Sequence, residues 1–402
     1  MKALAIAPPR DITIPEANST TARTILSQAM RRSIQDLIRL VASGRDPVLR
    51  SFKPTLQRLL REAPGPLASA LRSPTVGGLL RCLRRGVPQL SFSAGVSELV
   101  ATLLTDLATR HALPERVSLE RPPRRIVSLP GRRVLEVPAG TRRVDFENGR
   151  ARFVVGLGPS GEAHTVRLDD PPDEAAPTIY EPIAGDIVLA LVDNNPIAMA
   201  EAHPDKQGNA IDLGERSARE WADTLAEALA LIGRYLPELR AEIDLYIHQI
   251  VPVGYDPRKH LSASYQEIIG TIYMTLHPNS MTMVEATIHE FQHNKLHALL
   301  ELDPLLHNAF SPLYASPVRP DPRPLQGVLL AVHAFQPVAR LYQRMREAGE
   351  SICDHPDFQR RYGQVIDGNH EGATVLLENA EPTPIGASVL DEIRRWDTHA
   401  WQ

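Results

Sequence analysis

Apolar positions along the chain change their period twice. From residue 18 to about 112 they recur at near-helical spacing, as with Ile25, Met30, Ile34, Leu37, Ile38 and Val41, and Thr20 or Thr21 is available as a cap. Further amphipathic runs at 47–62, 66–85 and 93–112 are separated by Pro and Gly. Their polar faces carry Arg58, Arg61, Arg72, Arg81, Arg84 and Arg85, and read as a solvated basic face rather than a docking surface. From about 114 to 200 the period shortens to two. RVSLE, RIVSL, RRVLEV, RVDF, ARFVVGL and HTVRL are short alternating stretches that predict antiparallel sheet. Asn148–Gly149 is a two-residue hairpin signal, Pro159–Ser160–Gly161 a further turn, and Pro171–Pro172 with Pro177 a loop before the strand DIVLALVD.

Beyond residue 213 the two periods mix. Ser217–Tyr235 predicts a helix with Trp221, Leu225, Leu229 and Ile232 on one stripe. IDLYIHQIVPV and EIIGTIYMTL read as strands, Met281–Leu302 as a helix, SPLYASPVRPDPRP as a Pro-rich loop, and 324–347 as a long helix. The expected fold is α+β. It has a helical N-terminal region (1–113), a β-rich middle (114–212) and a zincin-like mixed C-terminal domain (213–402) carrying the chemistry.

Composition narrows the function classes. A net charge of −4 is too balanced for a dedicated nucleic-acid binder, and 43% hydrophobic residues are too many for a disordered chain. The two cysteines, Cys82 and Cys353, form no Cys-x-x-Cys pair. No apolar run approaches the ~18 residues of a membrane span, and the opening MKALAIAPPRDITIPEA lacks the features of a signal peptide. The expectation is a cytoplasmic protein without membrane or nucleic-acid partners.

The chemistry-bearing motif is His289–Glu290–Phe291–Gln292–His293. Histidines four apart are separated by about 400° of helical rotation, so both imidazoles share a face and can reach one divalent metal. By composition such a triplet arises on the order of 0.03 times in a chain of this length. His297 continues the series but lies about 12 Å along the axis from His289, too far to share the ion. The Gly and His of the elongated zincin pattern are replaced by Leu296 and Leu299, and no Glu occurs between Glu301 and Glu347. The candidate third ligands in that gap are Asp303, His307, Asp321 and His333. His333 is the best placed, on a helix rigid enough to present it, with Gln336 and Arg340 continuing a polar stripe. An all-nitrogen site suits Zn, Fe, Cu or Ni. Arg319 and Arg323, in a loop stiffened by prolines, are suited to grip a dicarboxylic acid bidentately; the alternative is that they pair with Asp321 or cap helix ends.

HEFQHNKLHALLELDPLL followed by SPVRPDPRPLQGVLLAVHAF resembles the HExxH-containing peptide-modification proteins of ribosomal natural-product clusters, over about Ser262–Arg340. The pairing of HExxH with Asp-Pro-Arg-Pro about thirty residues later carries the likeness. It implies an Fe(II)/2-oxoglutarate-dependent oxygenase that hydroxylates the β-carbon of a residue in a ribosomally made precursor peptide. His289 and His293 would hold Fe(II), and Arg319 or Arg323 the distal carboxylate of 2-oxoglutarate. Two positions depart from the family pattern: Val318 replaces an aromatic, and Leu330 stands where a histidine is expected. In this reading Glu290 orients a ligand, and the strand Gly270–Leu276 offers an edge for an extended peptide. The alternatives are a zinc metallopeptidase with Glu290 as general base, or a decayed site that only captures peptides.

Overall fold

The computed structural model describes residues 7–156, 163–171, 178–200, 202–203, 206–316 and 319–401. The expected turn at Pro159–Gly161 and most of the loop between Pro172 and Pro177 lie outside them. Five helices come first: α1 (Thr21–Ala42), α2 (Pro47–Glu62), α3 (Pro64–Arg72), α4 (Pro74–Arg85) and α5 (Phe92–Thr109). The run expected at 66–85 is two helices. Pro74 disfavours helical backbone at Ser73, whose ψ is 129°, and opens the next helix at a position that needs no amide hydrogen.

The middle region is antiparallel sheet, as its alternation predicts. Strands β1 (Val117–Glu120), β2 (Arg125–Ser128), β3 (Arg133–Glu136), β4 (Thr141–Glu147), β5 (Arg150–Val155) and β6 (Ala163–Arg167) form a sheet of order β1-β4-β5-β6 and a separate β2–β3 hairpin. Asn148–Gly149 turns β4 into β5, with Gly149 at φ 74°, as a primed hairpin turn requires. Then follow β7 (Tyr180–Ala184), β8 (Ile187–Ala190) and a short pair, β9 (Ala202–His203) and β10 (Lys206–Gln207).

The rest comprises α6 (Ala218–Tyr235), α7 (Pro237–Tyr246), β11 (Gln249–Tyr255), β12 (Ser262–Ala263), β13 (Thr271–Leu276), α8 (Ser280–Leu300), β14 (Leu313–Ser316), β15 (Arg319–Pro324), α9 (Leu325–Glu347), α10 (Pro356–Asn379) and α11 (Pro384–Asp397). Residues 243–246, expected to begin a strand, close α7 instead, a helix opened by Pro237 in its first turn. The expected Pro-rich loop is a hairpin, β14 against β15.

A five-stranded sheet, order β12-β13-β11-β8-β7, organises the molecule. Strands β8, β11 and β13 run parallel, and β7 and β12 are antiparallel edges. The sheet takes strands from both sides of residue 212. Its two faces are both buried: Leu189, Ile250, Ile272 and Met274 face the C-terminal helices, while Val188, Val251 and Tyr273 join Val127 of the β2–β3 hairpin. Burial on both faces explains the continuous apolar runs. A further core joins α1–α5 to the β1-β4-β5-β6 sheet.

The basic helical face is not simply solvated. Arg81 is 3% exposed and donates to the Glu267 carbonyl, while Arg84 reaches both Asp36 and Glu301 and Arg85 reaches Glu267 and Glu301. These arginines fasten α4 to the C-terminal half, a role invisible in a one-dimensional helical stripe. Arg58, bound to Glu62 and Glu115, stays at the surface. Among the described residues no helix is long and apolar enough to cross a membrane.

Candidate metal centre

Helix α8 begins where the Asn279 side chain accepts the amide hydrogens of Met281 and Thr282, satisfying donors that have no partner inside the helix. Val284, Ile288, Phe291, Leu296 and Leu299 are fully buried and seat it, each contributing on the order of 2 kcal/mol. Asn294 fixes its rotation against the sheet: its Oδ1 accepts from Gly270 N at 2.7 Å and its amide donates to the Thr271 carbonyl at 3.3 Å. With the helix so clamped, positions 289 and 293 look out on one side, and their ring centroids lie 4.2 Å apart.

The structure brings His289, Glu290 and His293 together. One ligand atom from each lies within 4.8 Å of the other two, and this is the one such group of three or more His, Cys, Asp or Glu residues among the described residues. Glu290 is 1% exposed. Its Oε1 accepts from Ser262 Oγ at 2.7 Å and lies 3.1 Å from His289 Nδ1. Glu290 Oε2 and His293 Nδ1 are buried without a hydrogen-bond partner. Buried polar atoms are ordinarily paired, so an unpartnered carboxylate oxygen and an unpartnered ring nitrogen beside a second imidazole fit a cation.

Electrostatics agree with that fit. Burial alone would raise the Glu290 pKa, but the hydrogen bond from His289 and the charges of both histidines outweigh it and hold the carboxyl below its usual range. Burial, reinforced by the neighbouring His289, lowers His293 to about 3. At neutral pH the centre is therefore a carboxylate beside a neutral imidazole, the protonation states a metal requires of its ligands.

The other expected ligands are elsewhere. His333 is fully buried on α9, but the residue of α9 that packs on His289 is Phe335, at 4.9 Å between ring centroids. Residues two apart on a helix point about 200° away from each other. His333 lies in the interior and outside the metal group, and burial together with the Lys295 and His293 charges drives its pKa well down. Gln336 and Arg340, its supposed polar stripe, bind the Ile393 carbonyl and Gln343. His307 is exposed, Asp303 accepts from Leu305 N and Thr383 Oγ1, and Asp321 pairs with Arg323 at 3.0 Å. His297 stacks at 6.2 Å on His293 but lies outside the group, its pKa lowered to about 4 by burial.

Arg319 and Arg323 belong to β15, a hairpin strand where a loop was expected. The Arg323 guanidinium pairs with Asp321 at the surface, its alternative role, and among the described residues it makes no hydrogen bond or ion pair with the metal group. The Arg319 side chain lies outside the described residues. The expected peptide edge also moves. β13 is flanked by β11 and β12, so the edge beside the centre is β12, whose Ser262 holds Glu290.

Three residues around the centre carry little or no sequence signal. Ser262 lies 28 residues upstream of the glutamate it holds, and Phe335 is one apolar residue among many. Glu285, four residues before His289, receives Arg361 through both carboxylate oxygens and also accepts the Tyr342 hydroxyl. Its spacing of one helical turn was the only available hint. In comparison with known proteins, the chain matches no family model and no curated protein.

Proposed function

We propose that this protein is an iron(II)/2-oxoglutarate-dependent oxygenase that hydroxylates the β-carbon of a residue in a ribosomally made precursor peptide, in the cytoplasm. The observation that carries the metal assignment is the convergence of His289, Glu290 and His293, with a carboxylate oxygen and a ring nitrogen among them buried without a partner. Two imidazoles and one carboxylate with the remaining positions open are the donor set of non-haem Fe(II) oxygenases. Glu290 thus takes the place intended for His333. A zincin-like reading of the C-terminal half is supported by α8 lying beside β13 with an antiparallel edge strand, β12, beyond it.

When bound, the metal would supply activation of dioxygen, the oxidant for breaking a C–H bond, with 2-oxoglutarate as the co-substrate oxidised to succinate and CO₂. The chain's own residues prepare the site. Ser262 Oγ–H holds one oxygen of Glu290, which leaves Oε2 as the donor atom. Asn294 locks the rotation of α8, so that both imidazoles stay aimed at one point. Phe335 covers one flank of His289 with an apolar ring and keeps water from it. Arg319 and Arg323 are the hairpin arginines we assign to the distal carboxylate of 2-oxoglutarate, Arg323 by exchanging its exposed pair with Asp321.

One observation favours a second reading, a zinc metallopeptidase. The ionised Glu290 with one unpartnered oxygen next to the histidines also suits a general base for metal-bound water. Anaerobic loading with Fe(II) or Zn(II), followed by assays for succinate and for peptide cleavage, separates the two. The proposal expects 2-oxoglutarate turnover to succinate with Fe(II), and an Arg319→Ala variant that needs at least about tenfold more 2-oxoglutarate. Cleavage with zinc and no succinate with iron would replace it by the peptidase.

A further inference from the structure

A groove of about 970 Å³ opens beside the metal centre, lined by the first turns of α8, the segment after β11, Tyr342 of α9 and the start of α10. Thr282 and Glu285 of its wall lie on the same side of α8 as His289 and His293, by the 3.6-residue period. From Glu285 to His289 is one turn, about 6 Å along the axis. Arg361 bridges the two spaces: it binds Glu285, and its Cζ lies 5.8 Å from the ring of Phe335, which packs on His289. The groove thus ends one helical turn from His289, on the N-terminal side of the metal group.

Its charge is cationic. Arg258, Arg360 and Arg361 line it against Glu285 and Asp357, and His260, His277 and His355 add further nitrogen. The three arginines are not equally engaged. Arg361 is held by Glu285. Arg360 meets Asp357 at 2.7 Å, with both side chains 65% exposed, and such a pair is worth little in water and exchanges readily. Arg258 makes no ion pair among the described residues; Asp256, two residues before it, spends Oδ1 on the amide hydrogens of Arg258 and Lys259. The N-termini of α8 and α10 open onto the same space and add positive potential.

We infer that this groove receives an acidic segment of the substrate peptide, with Arg258 and Arg360 binding its carboxylates and Arg361 guiding the chain past Phe335 to the metal. The inference rests on the reading of the centre as one that acts on peptides. Clustered arginines are the usual means of reading acidic motifs. The volume is several times what a five-carbon diacid fills, and the arginines come from two separate parts of the chain, the segment after β11 and α10, which suits a chain bearing several carboxylates.

Fluorescence anisotropy on the full chain, with labelled hexaglutamate and hexaglutamine as probes, tests this in both metal-loaded and chelator-treated protein. Hexaglutamate is expected to bind in both preparations, more weakly as salt rises, with hexaglutamine at least about tenfold weaker. The Arg258→Gln/Arg360→Gln double variant, altered at exposed positions that leave the core untouched, should lose at least about tenfold in affinity. Millimolar 2-oxoglutarate should leave hexaglutamate bound. Equal binding of the two peptides, an unaffected double variant, absence of hexaglutamate binding, or full displacement by 2-oxoglutarate would each overturn the inference. Hexaglutamate binding in a protein that takes up no metal would keep the groove and remove the oxygenase.

Discussion

Glu392 of α11 gives the sharpest quantitative test of how the molecule is held together. It is 1% exposed, and its Oε1 accepts the amide hydrogens of Thr13 and Ile14 at 3.0 and 3.1 Å. This pins the segment before α1 between α11 and the back of the metal helix, where Gln292 binds the Thr13 carbonyl. Burial pushes the Glu392 carboxyl up from 4.5 to about 7, even against those hydrogen bonds and the nearby Lys295 charge. Between pH 4.5 and about 7 the folded chain keeps a proton that the unfolded chain has released. The group's contribution is therefore complete at acid pH and declines as pH rises through that window. At about 1.4 kcal/mol per tenfold change in proton activity, the loss amounts to about 3 kcal/mol. Asp106, buried and raised to about 7, has the same sign, so the wild type alone does not isolate Glu392. Glu392→Gln does, because its amide oxygen still accepts from Thr13 and Ile14 but does not titrate. Its amide NH₂ would enter the place of Oε2, which has no partner, at a cost of about 1–3 kcal/mol. Absolute stability is thus a poor readout and the slope a good one. Urea unfolding at pH 5 and pH 8 should show the wild type losing about 2–3 kcal/mol more than the variant across that range. Parallel pH profiles for the two proteins would refute the argument.

Other outcomes follow from the same geometry. His289→Ala and His293→Ala should each abolish stoichiometric metal uptake by calorimetry, whereas His333→Gln should leave it within about threefold; strong loss in the last would return His333 to the ligand set. Lys295 is fully buried with its Nζ 2.7 Å from Glu242. Lys295→Met should destabilise by about 3–5 kcal/mol, and Lys295→Met/Glu242→Leu should recover most of it, because the single change strands a buried carboxylate. Failure of the double variant to recover in denaturant unfolding would mean that the pair's packing matters more than its charge. Ser262→Ala should weaken metal affinity by about 10- to 100-fold without a change in melting temperature beyond a few degrees, since it frees the Glu290 carboxylate to rotate. Glu301→Ala removes the carboxylate shared by Arg84 and Arg85 and should cost about 1–3 kcal/mol in urea; no effect would mark that contact as passive.

Much of the architecture was legible because it is written in local periods. The helices before residue 110, the hairpin at Asn148–Gly149, and the helix bearing the two histidines each follow from side chains within one or two turns of each other. Where the reading of elements failed, a competing local rule was present: Pro74 divided one expected helix, and Pro237 opened a helix over residues that look like a strand. The SPVRPDPRP segment became a hairpin because β14 was available to pair with it, which the prolines of β15 alone do not announce.

The pairing of His289 with His293 was determined by sequence alone, since helical geometry places residues four apart on one face wherever the helix lies. Which further residues meet them was decided by the tertiary structure. The rotation of α9 sends Phe335 toward His289 and His333 into the interior, and that rotation is set by packing along the whole of α9. The same holds for Ser262 on Glu290, for Arg84 and Arg85 on Glu301, and for the groove shared by α8 and α10. Each joins residues whose separation in the chain bears no relation to their distance in space. Short-range order is encoded by neighbours; a site assembled from several elements exists only once the core has fixed their angles.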